Sequence, residues 1–201
     1  MSHQCDPDCP HIREDQLDHG TSLFQYIDLT HVTSYNTDAR TCAQNVIKPW
    51  SERLNHDPFV KSCDRDSDMI LFIPFVSTVV VKSIVVVAGS EETCPRNVSL
   101  FVNRQDLDFS NVHEIVPTQQ FGLNYDASAS YEYTTRLNKF QNVSSLSLFF
   151  YGAAAEFSRL NYIGIKGESL GFKRQAVIAV YESRPTVHKT DSTTVQSLAT
   201  Q

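Results

Sequence analysis

The residues nearest the start of the chain that could perform chemistry are two histidines and two cysteines: His3, Cys5, Cys9 and His11. Two thiolates and two imidazoles form a ligand set that can hold zinc tetrahedrally. The spacing is tighter than in ordinary zinc modules, and no large apolar residue nearby could pack around a metal. We therefore interpret residues 1–12 as a flexible tail containing His and Cys, with a zinc site as the alternative.

A second candidate site is acidic. Asp64, Asp66 and Asp68 alternate as in the first half of a calcium-binding loop. The sixth position of such a loop requires Gly but is Met69, and the twelfth requires Glu but is Phe75. The pattern therefore favours an acidic turn before a strand.

Motifs for catalysis are missing or broken. His113-Glu114 begins like the zinc-protease pattern, but Pro117 stands where the second His belongs and breaks the helix that the pattern needs. The chain contains no G-x-S-x-G elbow, and the glycines Gly164 and Gly167 lack the spacing of a phosphate-binding loop. We predict no catalytic residue, no cofactor and no enzyme activity.

Composition narrows the possible partners. The 201 residues carry a net charge of −6, and Lys173-Arg174 is the only adjacent basic pair, so a nucleic-acid-binding surface is not expected. The start of the chain has no apolar core of a secretion signal, and its five cysteines form no disulfide framework. These features predict a protein of the cytoplasm and nucleus, in which the sequons at Asn97 and Asn142 are accidental.

Most apolar runs are short and alternate with polar residues, as half-buried antiparallel strands do. Such runs occur at 23–29, 98–103, 131–137, 146–151, 160–166 and 177–181. Convincing helices are scarce, and segments such as 106–114 could form only a turn or two. Many strands and few helices predict an all-β, two-sheet sandwich of the jelly-roll type.

One longer run, Met69 to Gly89, is long enough and apolar enough to suggest a membrane helix. Lys82 would lie deep in the bilayer, Pro74 interrupts the run, and most of the remaining residues are Val and Ile, which favour strands. We predict no membrane contact. Instead we expect two buried strands, Met69–Phe75 and Thr78–Val87, joined by a short turn and with strictly alternating faces in the second strand.

An ordered set of short motifs resembles the PITH domain, the proteasome-interacting thioredoxin domain. The motifs are Tyr26-Ile27-Asp28-Leu29, Lys48-Pro49-Trp50, Ile73-Pro74-Phe75, Val81-Lys82-Ser83-Ile84, Leu100-Phe101-Val102-Asn103, Lys139-Phe140-Gln141-Asn142-Val143 and Tyr162-Ile163-Gly164-Ile165-Lys166-Gly167-Glu168. The resemblance covers nearly the whole chain. The sequence contains neither a thioredoxin domain nor a W-C-x-x-C motif, so it is similar to the stand-alone members of the family.

The resemblance implies a single jelly-roll domain like the galactose-binding domains, over residues 13–184. The Ser/Thr-rich composition of residues 185–201 predicts a flexible tail. The resemblance also implies a non-enzymatic interaction domain that binds the 26S proteasome through its regulatory particle. The resemblance supplies no binding-surface residues. The alternative function is a jelly-roll module that binds a small ligand or a carbohydrate.

Overall fold

The computed structural model describes residues 20–173, and strands dominate it. The strands are β1 (Thr21–Ser22), β2 (Thr33–Tyr35), β3 (Val60–Lys61), β4 (Met69–Ala88), β5 (Asn97–Val102), β6 (Gln119–Gly122), β7 (Tyr133–Thr134), β8 (Val143–Tyr151) and β9 (Arg159–Lys173). Helical structure in this part of the chain is confined to single 3₁₀ turns at Phe24–Tyr26, Leu29–His31, Ala43–Val46, Trp50–Glu52 and Leu137–Lys139.

The long strand β4 organises the fold because it belongs to two halves of one curled antiparallel sheet. Its first half lies between β2 and β8, and β5 and β6 continue beyond β8. Its second half lies between β7 and β9, and β1 and β3 pair with β9. We call these halves the front sheet and the back sheet. They pack face to face, which confirms the predicted all-β jelly-roll sandwich.

The strand assignment for Met69–Val87 is confirmed, but the predicted turn between two strands is wrong. Residues 69–88 form one strand, and its pairing with β8 shifts register between Pro74 and Val79. Proline has no backbone N–H to donate to a ladder, so an irregularity at this position lets the strand bend without ending. Within the described residues, no helix is long and apolar enough to cross a membrane.

The predicted strict alternation in the second half of β4 is also wrong. Val81 pairs with Gly167 and Ser83 pairs with Lys166, so Lys82 is an extra residue on β4. This bulge switches the inward face from odd to even positions, and Ile84 rather than Ser83 enters the main core. Lys82 reaches the sandwich surface, where its Nζ donates to Glu168 at 2.6 Å.

The main core lies between the two sheets. The front sheet contributes fully buried side chains such as Leu71, Leu148 and Phe150, and the back sheet contributes Val81 and Ile165. Leu23 and Ile27 also enter this core from a 3₁₀ turn, so the predicted strand at 23–29 is wrong. A turn brings these two residues to one side, whereas a strand would also place Gln25 there.

Other predicted elements differ in extent. The predicted strands at 98–103, 146–151 and 160–166 correspond to β5, β8 and β9. The predicted strand at 131–137 pairs only at Tyr133–Thr134. The segment 106–114 forms hydrogen-bonded turns, with the Val112 amide donating to the Asp108 carbonyl at 2.9 Å. The predicted strand at 177–181 lies outside the described residues.

The outer face of the back sheet is covered by Trp50. Its ring packs on a small cluster that includes Val85, Val87 and Tyr162, meeting the Tyr162 ring edge-on at 6.3 Å. The side-chain cations of Arg53 and Lys166 lie 4.4 and 4.2 Å from the Trp50 ring centre. This face is therefore closed by side chains of the domain itself.

The buried thiol of Cys94 gives a test of core packing. Burial raises its pKa to about 11, so only about one thiol in a thousand is ionised at pH 8. Because the thiolate is the reactive form, we expect iodoacetamide to modify Cys94 far more slowly than the exposed Cys42. Peptide mass spectrometry of native protein at pH 8 measures both rates, and equal rates would contradict the packing.

Candidate interaction surface

Of the two candidate metal sites suggested by the sequence, only the acidic one lies in the described residues. His3, Cys5, Cys9 and His11 lie outside the described residues. Asp64 pairs with Lys61 at 2.5 Å, and Asp66 and Asp68 accept backbone amides, of Asp68 and Gly152 respectively. Over residues 20–173, no three His, Cys, Asp or Glu side chains converge to hold a metal ion. The acidic run is a turn before β4, as predicted.

A small polar cluster at Asp28, Thr30 and His31 resembles part of a catalytic triad. Asp28 lies 2.8 Å from Nδ1 of His31, and the Thr30 hydroxyl lies 3.1 Å from the same ring nitrogen. A triad needs the nucleophile on the other nitrogen, so this arrangement cannot activate Thr30. Hydrogen bonds from Thr30 and His31 lower the pKa of Asp28, which therefore stays charged at neutral pH.

The most distinctive surface lies on the outer face of the front sheet, where the segment 104–118 crosses β8. Its Leu107 and Val112 pack with Ile70, Phe101 and Phe149 in a second small core. Packing on one side fixes the segment to the sheet, and its other side faces solvent. Functional residues are often carried on loops held in this way by a rigid scaffold.

Apolar and aromatic side chains cluster where this segment meets β8. We call Phe109, His113, Phe149 and Tyr151, together with the exposed Val116 of the same segment, the aromatic patch. The Phe149 ring stacks on Tyr151 with centres 5.0 Å apart, and it meets the rings of His113 and Phe109 edge-on at 5.4 and 6.2 Å. These geometries are the ones that aromatic pairs prefer.

Two residues of the aromatic patch protrude into solvent. Val116 is 87% exposed and Phe109 is 37% exposed, although both are apolar. Next to them is a cleft of about 210 Å³, whose lining includes His113, Ile115, Pro117, Phe149 and Tyr151. Exposed apolar and aromatic side chains around a shallow cleft are typical of a surface that binds another protein.

Hydrogen bonds preorganise the segment that carries the aromatic patch. The Asp108 carboxylate accepts the Ser110 amide at 2.8 Å and the Ser110 hydroxyl at 2.5 Å. The Asn111 side-chain amide donates to the Asp106 carbonyl at 2.6 Å, and the Ser147 hydroxyl on β8 donates to the Arg104 carbonyl at 2.7 Å. Binding of a partner would therefore cost little conformational entropy, because this segment is already ordered.

The rim of the patch is mainly acidic. Hydrogen bonds from Arg104 lower the pKa of Asp106, and those from Ser110 lower the pKa of Asp108. Glu114 adds an exposed carboxylate beside His113. A basic partner surface would complement this rim and accelerate association.

The aromatic patch was not predicted from the sequence. The available signal was Phe109, an apolar residue in the segment 106–114 predicted to form turns, and Val116 two residues after that segment. Nothing in the sequence distinguishes these exposed residues from Leu107 and Val112, which lie in the same segment and are buried. Their exposure depends on which side of the segment meets β8.

A second surface feature lies at one end of the sandwich. The connection between β4 and β5 and the residues after β6 enclose an end cleft of about 280 Å³. Its lining includes Glu91, Arg96, Asn124 and Tyr125, and the Tyr125 side chain is partly exposed. Charged, amide and aromatic groups can all contact a polar small molecule.

Comparison with known sequences gives long matches. The family model described as the PITH domain matches residues 13–185. The PITH domain-containing protein 1 of Dictyostelium discoideum is 32% identical over 95% of both chains. The Homo sapiens protein of the same name is 31% identical, over 87% of this chain and 84% of its own.

Comparison with solved structures gives matches of the fold. A family 32 carbohydrate-binding module of C. perfringens NanJ, solved with galactose, has a TM-score of 0.53 at 7% identity and covers 72% of this chain and 97% of its own. Two such domains of C. perfringens ZmpB, solved with GalNAc, have a TM-score of 0.56 at 9% identity, covering 77% of this chain and 38% of theirs. At these identities the likeness concerns the fold alone.

Proposed function

Because the chain belongs to the PITH domain family, we propose that it is a non-enzymatic interaction domain that binds the regulatory particle of the 26S proteasome. The resemblance of its ordered motifs to this family supports the choice of partner. The proposal places the protein in the cytoplasm and nucleus, where that partner resides. The contact surface that we propose is the aromatic patch.

The observation that carries the choice of surface is the exposure of Val116 and Phe109 on a segment already fixed by hydrogen bonds. Leaving apolar side chains in water costs free energy, which a partner that covers them regains. Apolar anchors surrounded by polar groups are the usual arrangement at the centre of an interface. On the outer face of the back sheet, by contrast, the Trp50 ring packs over the small cluster that includes Val85, Val87 and Tyr162.

The test uses purified 26S particles and the full chain. We expect saturable binding at micromolar or lower concentration, and a Val116→Asp variant that binds at least about tenfold more weakly, because a carboxylate would be buried without a partner. Sedimentation of the particle with labelled protein measures both affinities. The thermal midpoint of Val116→Asp should match that of the wild type, because Val116 contributes little to the core.

The matched control is Leu54→Asp. Leu54 is 48% exposed and belongs to the connection that covers the back sheet, away from the aromatic patch. It should bind like the wild type. Absence of wild-type binding would refute the choice of the proteasome. If Val116→Asp bound as tightly as Leu54→Asp, the aromatic patch would not be the contact surface.

The end cleft supports a second candidate function, the binding of a carbohydrate. Its charged, amide and aromatic lining is suited to hydroxyl groups and a sugar face, and the NanJ module with a similar fold was solved with galactose. A saturable rise of the thermal midpoint with galactose or GalNAc would support this function. Loss of that rise in Tyr125→Ala would assign the sugar to the end cleft. The absence of any rise in the wild type at millimolar sugar would reject the carbohydrate-binding function.

A further inference from the structure

A groove runs along the outer face of the first half of β4. Its floor is formed by the apolar residues Phe72, Pro74 and Val76, and the buried Ile70 lines its far end. Two adjoining clefts of about 400 and 260 Å³ share His31, Phe72 and Gln105, so they form one continuous groove. We call it the β4 groove. It lies on the opposite side of the segment 104–118 from the aromatic patch.

The described chain ends beside this groove. Lys173, the last residue of β9, pairs with Ser77, which directly follows Val76 on β4. The groove therefore opens next to Lys173, the last described residue of the chain.

The chain after Lys173 cannot simply extend β9 along β4. The same edge of β4 is already occupied at the preceding positions, because Ile27 bridges Phe75 and the Asp28 amide donates to the Pro74 carbonyl at 2.9 Å. A strand that continued β9 along this edge would therefore collide with Ile27 and Asp28. Val76, which is 44% exposed, is apolar surface directly at the exit.

The sequence after Lys173 matches the chemistry of the β4 groove. Six consecutive apolar residues, 176–181, follow Arg174 and Gln175. The charged Asp28 lines the same cleft as Val76, and its charge is opposite to that of Arg174. Apolar chain over an apolar floor, with a basic residue near an acidic one at the entrance, is a complementary arrangement.

The dimensions also agree. The groove from Ile70 to Val76 spans seven residues of strand, and the six steps between them give about 20 Å at about 3.3 Å per residue. An extended chain over residues 174–181 spans about 26 Å. The apolar segment can therefore reach the whole floor from its attachment at Lys173.

We propose that residues 174–181 bind within the same molecule, in the β4 groove, as an extended segment that covers the outer face of the front sheet beside β2. The side chains of alternate residues of this segment pack on Phe72, Pro74 and Val76. Because the segment is tethered next to its binding site, its effective concentration there is in the millimolar range, and weak contacts suffice to hold it.

Photochemical cross-linking of the full chain tests this proposal. The photoreactive residue p-benzoylphenylalanine replaces Val76 in one variant and Val116 in a matched control, since both are exposed valines on the outer face of the front sheet. Irradiation of the Val76 variant should join position 76 to the tryptic peptide 175–189 in monomeric protein. The control should give at least about tenfold less of this product.

A second variant keeps the probe at position 76 and tests whether the cross-link depends on the apolar side chains of the segment. Adding Ile178→Asp and Val180→Asp to the Val76 probe should reduce the cross-link at least about tenfold, because charged side chains would not bind an apolar floor. The proposal is overturned if the peptide is joined to position 76 only in covalent dimers, which would indicate a second copy. It is also overturned if the peptide is not joined at all, or if the aspartates leave the yield unchanged.

Discussion

Replacing Gly167 with alanine should destabilise the domain by about 3 kcal/mol or more. A Cβ atom at this position would lie 1.9 Å from the backbone carbonyl oxygen of Val80, inside any possible contact distance. The obstacle is backbone in β4, so no side-chain rotation can relieve it. The close approach occurs beside the bulge at Lys82, where Val81 pairs with Gly167.

The consequence reaches beyond one contact because β4 and β9 form the longest strand pair of the sandwich. Gly20 also lies against Gly167 from the other side, since a Cβ on Gly20 would be 2.6 Å from the Gly167 carbonyl oxygen. Moving β9 away from β4 would therefore disturb β1 as well. We expect the thermal midpoint to fall by about 10 °C for a chain of this size.

Gly122→Ala is the matched control. Gly122 lies on the edge strand β6, and a Cβ there would have no neighbour within 4 Å. This variant should stay within about 0.5 kcal/mol of the wild type. Urea unfolding of the three proteins gives the comparison, and a Gly167→Ala protein as stable as the wild type would contradict the packing of β9 on β4.

Replacing Asp126 with alanine should cost about 2–3 kcal/mol. Asp126 is 6% exposed, and its carboxylate accepts the Ser128 amide at 2.8 Å, the Ser128 hydroxyl at 2.7 Å and the Tyr131 amide at 2.8 Å. These bonds shape the connection that packs Ala129 onto the outer face of the back sheet. Removing the carboxylate leaves three donors without their acceptor.

The same residue gives a pH dependence of known sign. Burial alone would raise the pKa of Asp126, but the hydrogen bonds from Tyr131 and Ser128 outweigh it and lower that pKa. Asp126 therefore binds a proton more readily in the unfolded chain than in the folded one. The stabilisation by Asp126 is present above the unfolded value of about 3.9 and is lost as the pH falls through the lower folded value.

Asp108→Ala is the natural control, because Asp108 accepts the amide and hydroxyl of Ser110 in the same Asp-x-Ser arrangement but is exposed. Water can replace an exposed acceptor, so this variant should lose clearly less stability at pH 7. Unfolding free energies at pH 7 and pH 3 measure both effects. A difference between wild type and Asp126→Ala that does not shrink at pH 3 would refute the assigned role.

The strand pattern and the family motifs could be predicted from the sequence. Alternating runs identified β5, β8 and β9, and the abundance of Val and Ile in Met69–Ala88 correctly favoured strand over membrane helix. These predictions succeed because side-chain shape and period-two burial act locally. The ordered motifs also indicated the PITH family, which the comparisons show.

Positions at which distant parts of the chain meet were not predictable in this way. The bulge at Lys82 exists because β9 has one residue fewer than β4 between two pairs. The turn that was expected near Pro74 is a register shift in a continuous strand, because β8 and β9 hold the two halves from opposite edges. The alternation of apolar residues along one strand does not show where a neighbouring strand ends or shifts its pairing register.

The binding surfaces show the same division. The sequence by itself determined an all-β sandwich with buried strand structure over residues 69–87, because apolar alternation and the abundance of Val and Ile indicate strands with a buried side. Only the tertiary structure decided that Leu107 is buried while Val116 and Phe109 stay exposed, and that the β4 groove opens beside Lys173. Exposure is a property of the neighbours that the fold brings to each residue, and these neighbours are far apart in the chain.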